Sequence, residues 1–124
     1  MSQDYFAYIG TYTTTNSEGL YVYRLRMDSG VLEYVSEVTG LKNPTFLDTD
    51  PAFTNLYTVN EVLGADNEPV GAVSAFSIDE NVGTLTYLNT EQTKSIGPCH
   101  LSVDSTGKVI LVANYKGSGL TVFP

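Results

Sequence analysis

Few side chains of this sequence can exchange protons at neutral pH, and two of them are adjacent. His100 is the only histidine, and Cys99 before it is the only cysteine. An imidazole can act as a general base near neutrality or polarise a carbonyl group. A lone cysteine is more often a small buried apolar residue than a nucleophile. We therefore take His100 as the candidate catalytic residue, with a structural histidine hydrogen-bonded between sheets as the alternative.

Other kinds of chemical site are poorly supported by the residue pattern. One His and one Cys cannot supply the spacing of a zinc site. The sequence contains neither the G-x-S-x-G motif nor the G-x-x-x-x-G-K-[ST] motif. Asp66 and Glu68 are possible calcium ligands, but their pattern is not specific. We predict no metal and no cofactor.

An internal repeat of about 50 residues predicts the fold. Each unit contains four short runs rich in Val, Tyr, Thr and Ile, separated by turn clusters of Asp, Ser and Gly. This pattern is typical of an all-β propeller, in which four-stranded antiparallel blades surround an axis. The repeat aligns 44–50 with 98–104, 56–60 with 110–114, and 20–25 with 73–78 and with a third copy that begins at Leu120.

The repeat divides the chain into about two and a half blades. A partial blade covers 1–40, a complete blade 41–95 and a partial blade 96–124. The first predicted strand matches the second strand of a blade, as in rings closed by pairing N-terminal with C-terminal strands. Propellers have ~4–8 blades, so we expect further blades to close the ring; self-association of short chains is the alternative. The predicted strands are 5–10, 19–26, 31–37, 45–50, 55–60, 72–78, 84–90, 99–104, 108–114 and 119–123.

One face of the predicted propeller gathers the polar candidates. The start of each inner strand and the end of the second strand lie at this face, where propellers usually bind ligands. Besides His100, we predict substrate contacts from Asn60, Glu61, Asn114 and Lys116. The two asparagines are repeat-equivalent, which also indicates a structural role in every blade. Glu61 is interpreted as an acid, a base or a solvated residue of the rim.

The distribution of charge indicates a small anionic ligand. The formal net charge is −8, with only six Lys and Arg. Three of them, Lys42, Lys94 and Lys116, fall in loops at the face of His100, where an anion would enter. The acidic balance argues against nucleic acid and against an anionic membrane surface.

The sequence also bears on the compartment. The first residues contain no basic segment followed by an apolar core. No apolar run approaches the ~18 residues typical of a membrane span. A single cysteine cannot form a disulfide within the chain. We expect a soluble cytoplasmic protein.

Three segments resemble the lactonase family, which contains propeller-type 6-phosphogluconolactonases and fungal carboxy-muconate lactonising enzymes. The resemblance covers essentially the whole chain and preserves the order of the motifs. The segments are Y-I-G-T-Y at 8–12, G-P-C-H-L-S-V-D at 97–104, and V-A-N-Y at 112–115 followed by G-S-G at 117–119.

The resemblance implies a seven-bladed ring and hydrolysis of 6-phosphogluconolactone, an anionic sugar lactone, in the pentose phosphate pathway without a metal. The family's inner-strand histidine maps onto His100. Its Arg and Glu partners belong to later blades, so we expect these 124 residues to be inactive alone. Two alternatives are a carboxy-muconate cyclase and a non-catalytic propeller that binds other proteins. The absence of Trp disfavours the WD-repeat class.

Overall fold

The computed structural model describes residues 3–62 and 71–124, which form three antiparallel sheets without a helix. The all-β prediction is confirmed. Asp66 and Glu68 lie outside the described residues. No helix of the described part is long and apolar enough to cross a membrane. The strands are β1 (Tyr5–Gly10), β2 (Leu20–Leu25), β3 (Leu32–Val38), β4 (Leu47–Thr49), β5 (Asn55–Asn60), β6 (Ala72–Ile78), β7 (Leu85–Gln92), β8 (Pro98–Val103), β9 (Ile110–Asn114) and β10 (Gly119–Phe123).

The sheets have the strand order of propeller blades. The middle sheet is complete, in the order β4-β5-β6-β7, and it is flanked by the three-stranded sheets β1-β2-β3 and β8-β9-β10. In the first sheet β1 pairs with β2 in the manner of a second blade strand, as the repeat predicts.

The largest change in strand length is at β4, which covers three residues where six, 45–50, are predicted. Asn43 has a positive φ of 45°. The amide of Thr45 donates to the Asn43 carbonyl at 2.8 Å. The chain is therefore still turning where the hydrophobic pattern alone suggested extended structure.

Apolar side chains fill two seams between neighbouring sheets. Because successive residues of a strand point to opposite faces, the two central strands of the middle sheet, β5 and β6, contribute to both seams. Burial of apolar surface is the main source of stability here. The first seam is built around Leu20, Leu56 and Phe76, and the second around Val59, Val73, Leu101 and Val112.

Two features at the end opposite the candidate site fix the turns. Asp104 accepts the backbone amides of Lys108 and Val109, both at 2.9 Å, and closes the turn between β8 and β9. Gly83 adopts a φ of +77°, and an added Cβ would lie 2.4 Å from the Phe6 ring. Only glycine allows the turn before β7 to approach the first sheet this closely.

Candidate functional site

Residues from all three sheets meet at the end where the second strands finish and the inner strands begin. The inner strands β4 and β8 lie side by side, and Asp48 at one of them accepts the Val103 amide of the other at 3.3 Å. We call the polar and aromatic residues at this end the mouth cluster. Its members are Tyr12, Asn43, Thr45, Glu61, Cys99, His100, Tyr115 and Lys116.

His100 is exposed on β8 and stacks on the neighbouring inner segment. Its ring lies 4.4 Å from the Phe46 ring, between centroids, with an angle of 38° between the planes. Among residues 3–62 and 71–124, its nitrogens make no hydrogen bond. The imidazole is therefore held in place by stacking, while both nitrogens remain available to a ligand or water.

A β-bulge lies directly before His100. Pro98 pairs with Asn114 and His100 with Ala113, so Cys99 is the extra residue of the strand. Bulges re-aim side chains and are common next to active sites. The Cys99 thiol is free and half-buried, 3.7 Å from the Ala113 carbonyl oxygen.

Glu61 is buried, so its interpretation as a solvated rim residue is wrong. Only 8% of the residue is exposed. Its Oε2 accepts the Thr45 hydroxyl at 2.6 Å, and the Tyr12 hydroxyl lies 3.2 and 3.1 Å from Oε1 and Oε2. Tyr12 follows β1, so a residue of the first sheet contacts a side chain that belongs to the second.

Asn43 fixes the backbone around this carboxylate. Its side chain accepts the Thr13 amide at 2.9 Å and donates to the Glu61 carbonyl at 3.1 Å. Its own carbonyl accepts the Glu61 amide at 3.0 Å. The loop after β1 and the end of β5 are thus joined through one buried amide.

The phenol of Tyr12 remains a hydrogen-bond donor in neutral solution. Its hydrogen bond to Glu61, followed by the charge of that carboxylate and by burial, raises the pKa of Tyr12 above its ordinary value of 10.0. Tyr115 and Cys99 add smaller electrostatic contributions in the same direction. These interactions group the four side chains at one end of the molecule.

Tyr12, Glu61 and Tyr115 occupy the same position in the three sheets. Leu20, Val73 and Leu120 are equivalent in the repeat, and each pairs with a residue of the neighbouring second strand. Tyr12, Glu61 and Tyr115 lie two residues after those paired residues. The pairs are Gly10 with Leu20, Val59 with Val73, and Ala113 with Leu120. The mouth cluster therefore presents phenol, carboxylate and phenol in successive sheets.

The two equivalent asparagines are used differently. Asn60 is 6% exposed; its Nδ2 donates to the Lys42 carbonyl at 3.0 Å and its Oδ1 accepts the Ser74 hydroxyl at 2.7 Å. Asn114 is 3% exposed, and its Nδ2 donates to Thr121 Oγ1 at 3.0 Å. Its Oδ1 has no partner among the described residues. Both polar groups of Asn60 thus bind within the protein, while in Asn114 only the amide nitrogen does so among the described residues.

Lys116 is exposed in the turn between β9 and β10, next to the start of β8. The Tyr115 amide donates to the Gly97 carbonyl at 3.0 Å. A Cβ on Gly97, whose φ is +69°, would lie 2.9 Å from the Lys116 Cβ. Lys42 and Lys94 lie in the loops before β4 and β8, at the same end of the sheets. The structure thus brings three lysines to the face that carries His100.

The repeat places Tyr12 and Thr45 at this end of the sheets, and the structure adds their hydrogen bonds to Glu61. Their contacts with Glu61 join residues 49 and 16 positions apart in the chain. The alignment of Tyr12 with Glu61 and Tyr115 through the repeat indicates their common position, but it does not predict the contact between Tyr12 and Glu61. No group of three His, Cys, Asp or Glu residues in the described part could hold a metal ion.

The three successive sheets, with strand order and seams of neighbouring blades, define a segment of a β-propeller. Residues 6–124 match the profile of the lactonase family with the seven-bladed β-propeller fold. The chain therefore belongs to this lactonase family.

Individual relatives agree with this assignment. The chain is 38% identical over 120 residues to the 6-phosphogluconolactonase of Bacillus subtilis, covering 97% of the chain and 33% of the relative. It is similar to the crystal structure of a candidate 6-phosphogluconolactonase from Bacteroides fragilis, with a TM-score of 0.88, 37% identity, and coverage of 98% and 32%. The periplasmic gluconolactonase of Pseudomonas aeruginosa gives a TM-score of 0.87, 29% identity, and coverage of 98% and 35%. The chain thus spans about a third of the length of these relatives.

Proposed function

We propose that these residues form part of a lactonase that hydrolyses 6-phosphogluconolactone to 6-phosphogluconate, with His100 as its proton-transfer group. The observation that carries this proposal is the exposed, stacked imidazole of His100, whose nitrogens make no hydrogen bond within the described residues. Membership of the lactonase family and the names of the relatives supply the reaction class.

The reaction requires one water molecule and one proton shuttle. Water attacks the lactone carbonyl carbon while His100 takes a proton from the water molecule. The attack forms a tetrahedral intermediate that carries an oxyanion. When the carbon–oxygen bond of the ring breaks, His100 returns the proton to the departing ring oxygen. The acid and the alcohol of the open chain are the products. Cationic groups and hydrogen-bond donors near the oxyanion lower the barrier.

The phosphate of the substrate needs positive charge in an otherwise acidic protein. We place it near Lys116, with Lys42 and Lys94 contributing at longer range, because these lysines lie at the end that carries His100. Asn114 is the candidate for a hydrogen bond to the sugar because its Oδ1 has no partner among the described residues, but that oxygen is buried and its side chain would have to move to reach a substrate. Both of Asn60's polar groups already bind the protein, so a substrate contact from it would need rearrangement.

The test of His100 uses the full-length protein that carries these residues. His100→Ala should lower kcat for the phospholactone by ~10²-fold or more, because a general acid–base group is lost. Ser102→Ala, on the same strand and also exposed, is the matched control and should leave kcat unchanged. Turnover that survives in His100→Ala removes His100 from the mechanism. A parallel assay with carboxy-muconate distinguishes a cyclase from a lactonase.

Two further expectations belong to this proposal. The 124 residues alone should be inactive, because the family's Arg and Glu partners are expected in later blades. The protein should act in the cytoplasm, where the free thiol of Cys99 would stay reduced. Cell fractionation tests the second expectation, and recovery of the activity from the periplasm would contradict it.

A further inference from the structure

We propose that Glu61, held by Tyr12 and Thr45, binds hydroxyl groups of the lactone's sugar ring and sets the direction in which the substrate lies. The inference rests on the proposed function, since it takes a hydroxylated lactone as the ligand. It concerns specificity, and it assigns roles to two residues, Tyr12 and Thr45, that the reaction itself does not require.

The hydrogen bonds of Glu61 leave acceptor capacity unused. A carboxylate offers about four lone-pair sites. Among residues 3–62 and 71–124, two hydroxyl protons reach it: Thr45 bonds Oε2 at 2.6 Å, and the single proton of Tyr12 is shared between both oxygens at 3.2 and 3.1 Å. From this part of the chain Oε1 receives one long, shared bond, which leaves acceptor capacity for another donor.

Burial makes that unused capacity significant. A buried carboxylate is costly unless charge or hydrogen bonds compensate it. The ion pairs among the described residues join Arg24 and Arg26 to Asp4 and Glu33, and none of them involves Glu61. The donors that Glu61 does have are hydroxyl groups, which are also the donors that a sugar lactone brings in number.

The surroundings of Glu61 fit a sugar ring. Tyr12 is 55% exposed and its hydroxyl is fixed by the carboxylate. Tyr115, equally exposed, stands at the equivalent position two sheets further on. Aromatic side chains with a few placed polar groups are typical of small-molecule sites. The row of phenol, carboxylate and phenol thus provides flat apolar surface beside a hydroxyl acceptor.

The charges of Glu61 and Lys116 determine the orientation of the bound substrate. A phosphate dianion is repelled by Glu61 and attracted by Lys116, which follows Tyr115 in the third sheet. The hydroxyl-bearing side of the ring therefore lies toward the seam between the first and second sheets. The phosphate lies toward the third sheet.

The test compares hydroxylated and plain lactones on the full-length protein. Glu61→Gln keeps the size of the side chain but removes the charge that strengthens the hydrogen bond. We expect KM for 6-phosphogluconolactone to rise on the order of tenfold, with a smaller change in kcat. Hydrolysis of δ-valerolactone, which has no hydroxyl group, should be unchanged. Tyr12→Phe should raise KM in the same direction by a smaller factor.

The first sheet offers a matched control. Tyr34 is 57% exposed and donates to Glu37 at 2.9 Å, so it forms a Tyr–Glu pair like that of Tyr12 but on the outer strand β3. Tyr34→Phe and Glu37→Gln should leave KM for both lactones unchanged. Thermal unfolding of all four variants identifies any loss that comes from the fold.

Binding without turnover separates this inference from the proposed function. Calorimetry measures the affinity of wild type and Glu61→Gln for D-glucono-1,5-lactam, which carries the hydroxyl groups, and for 2-piperidinone, which does not. Selective loss of lactam affinity in Glu61→Gln supports the hydroxyl subsite, even if the protein hydrolyses no lactone and the proposed function fails. Equal losses for both compounds, no loss, or no binding of the lactam to wild type would overturn the subsite.

Discussion

Gly97→Ala is the substitution whose cost can be worked out most directly from the geometry around the candidate site. Gly97 has a φ of +69°, which costs an L-residue about 1–2 kcal/mol. Alanine also restricts the unfolded chain, which offsets about 0.4–1 kcal/mol. The new Cβ would lie 2.9 Å from the Lys116 Cβ and 3.1 Å from the Tyr115 ring. Neither contact is with the free end of a flexible chain, so the turn must shift, at a further cost of about 1–3 kcal/mol.

Gly30→Ala is the control that isolates the cost of the steric contacts from the cost of the positive φ. Its φ of +74° is nearly the same, but nothing lies within 4 Å of an added Cβ. Urea unfolding of the full-length protein should therefore show Gly97→Ala to be less stable than Gly30→Ala by about 1–3 kcal/mol. Because the shift moves Tyr115 and Lys116, KM should rise only in Gly97→Ala. Equal stabilities, or an unchanged KM, would refute the packing argument.

Three other predictions concern the framework. Phe76→Ala removes a ring fully buried in the first seam and should cost about 3–5 kcal/mol in urea unfolding; a loss below about 1 kcal/mol would contradict this packing. Tyr8→Phe loses the hydrogen bond to the Gly83 carbonyl at 2.8 Å and should cost about 1 kcal/mol by the same measurement. The Thr106 hydroxyl and then backbone amides lower the pKa of Asp104 from 3.8 to about 2. The ionised carboxylate of Asp104 therefore stabilises the folded state fully above pH 3.8, and this stabilisation is lost as pH falls toward 2. Asp104→Asn should make the unfolding midpoint less sensitive to pH over this range, and an unchanged pH profile would count against that role.

The repeat made most of the fold predictable from the sequence. Strands β1, β5, β6 and β10 have the predicted limits, because their hydrophobic alternation is bounded by clear turn residues. The start of β4 was not predictable from alternation, since the positive φ of Asn43 turns the chain through a stretch that reads as extended. Backbone conformation of this kind depends on hydrogen bonds from Thr13, which is far away in the sequence.

The candidate site was only partly predictable. The position of His100 at the start of an inner strand follows from the repeat, while its stacking on Phe46 depends on how closely two sheets approach. The contacts of the buried Glu61 could not be read locally, because Tyr12, which binds its carboxylate, comes from another sheet. A charged residue just after a strand is usually solvated, and here a long-range contact reverses that expectation.

The shared position of Tyr12, Glu61 and Tyr115 has a consequence for how such proteins diversify. Each lies just beyond a strand and outside the two apolar clusters that bind the sheets together. Exchanging Tyr115 alters the side chain that the third sheet presents, whereas exchanging Tyr12 or Glu61 alters a pair, because these two are hydrogen-bonded across two sheets. In such a ring, substrate preference can diverge through side chains that lie outside the apolar seams, by a single exchange where a blade's residue stands alone and by paired exchanges where neighbouring blades share a hydrogen bond.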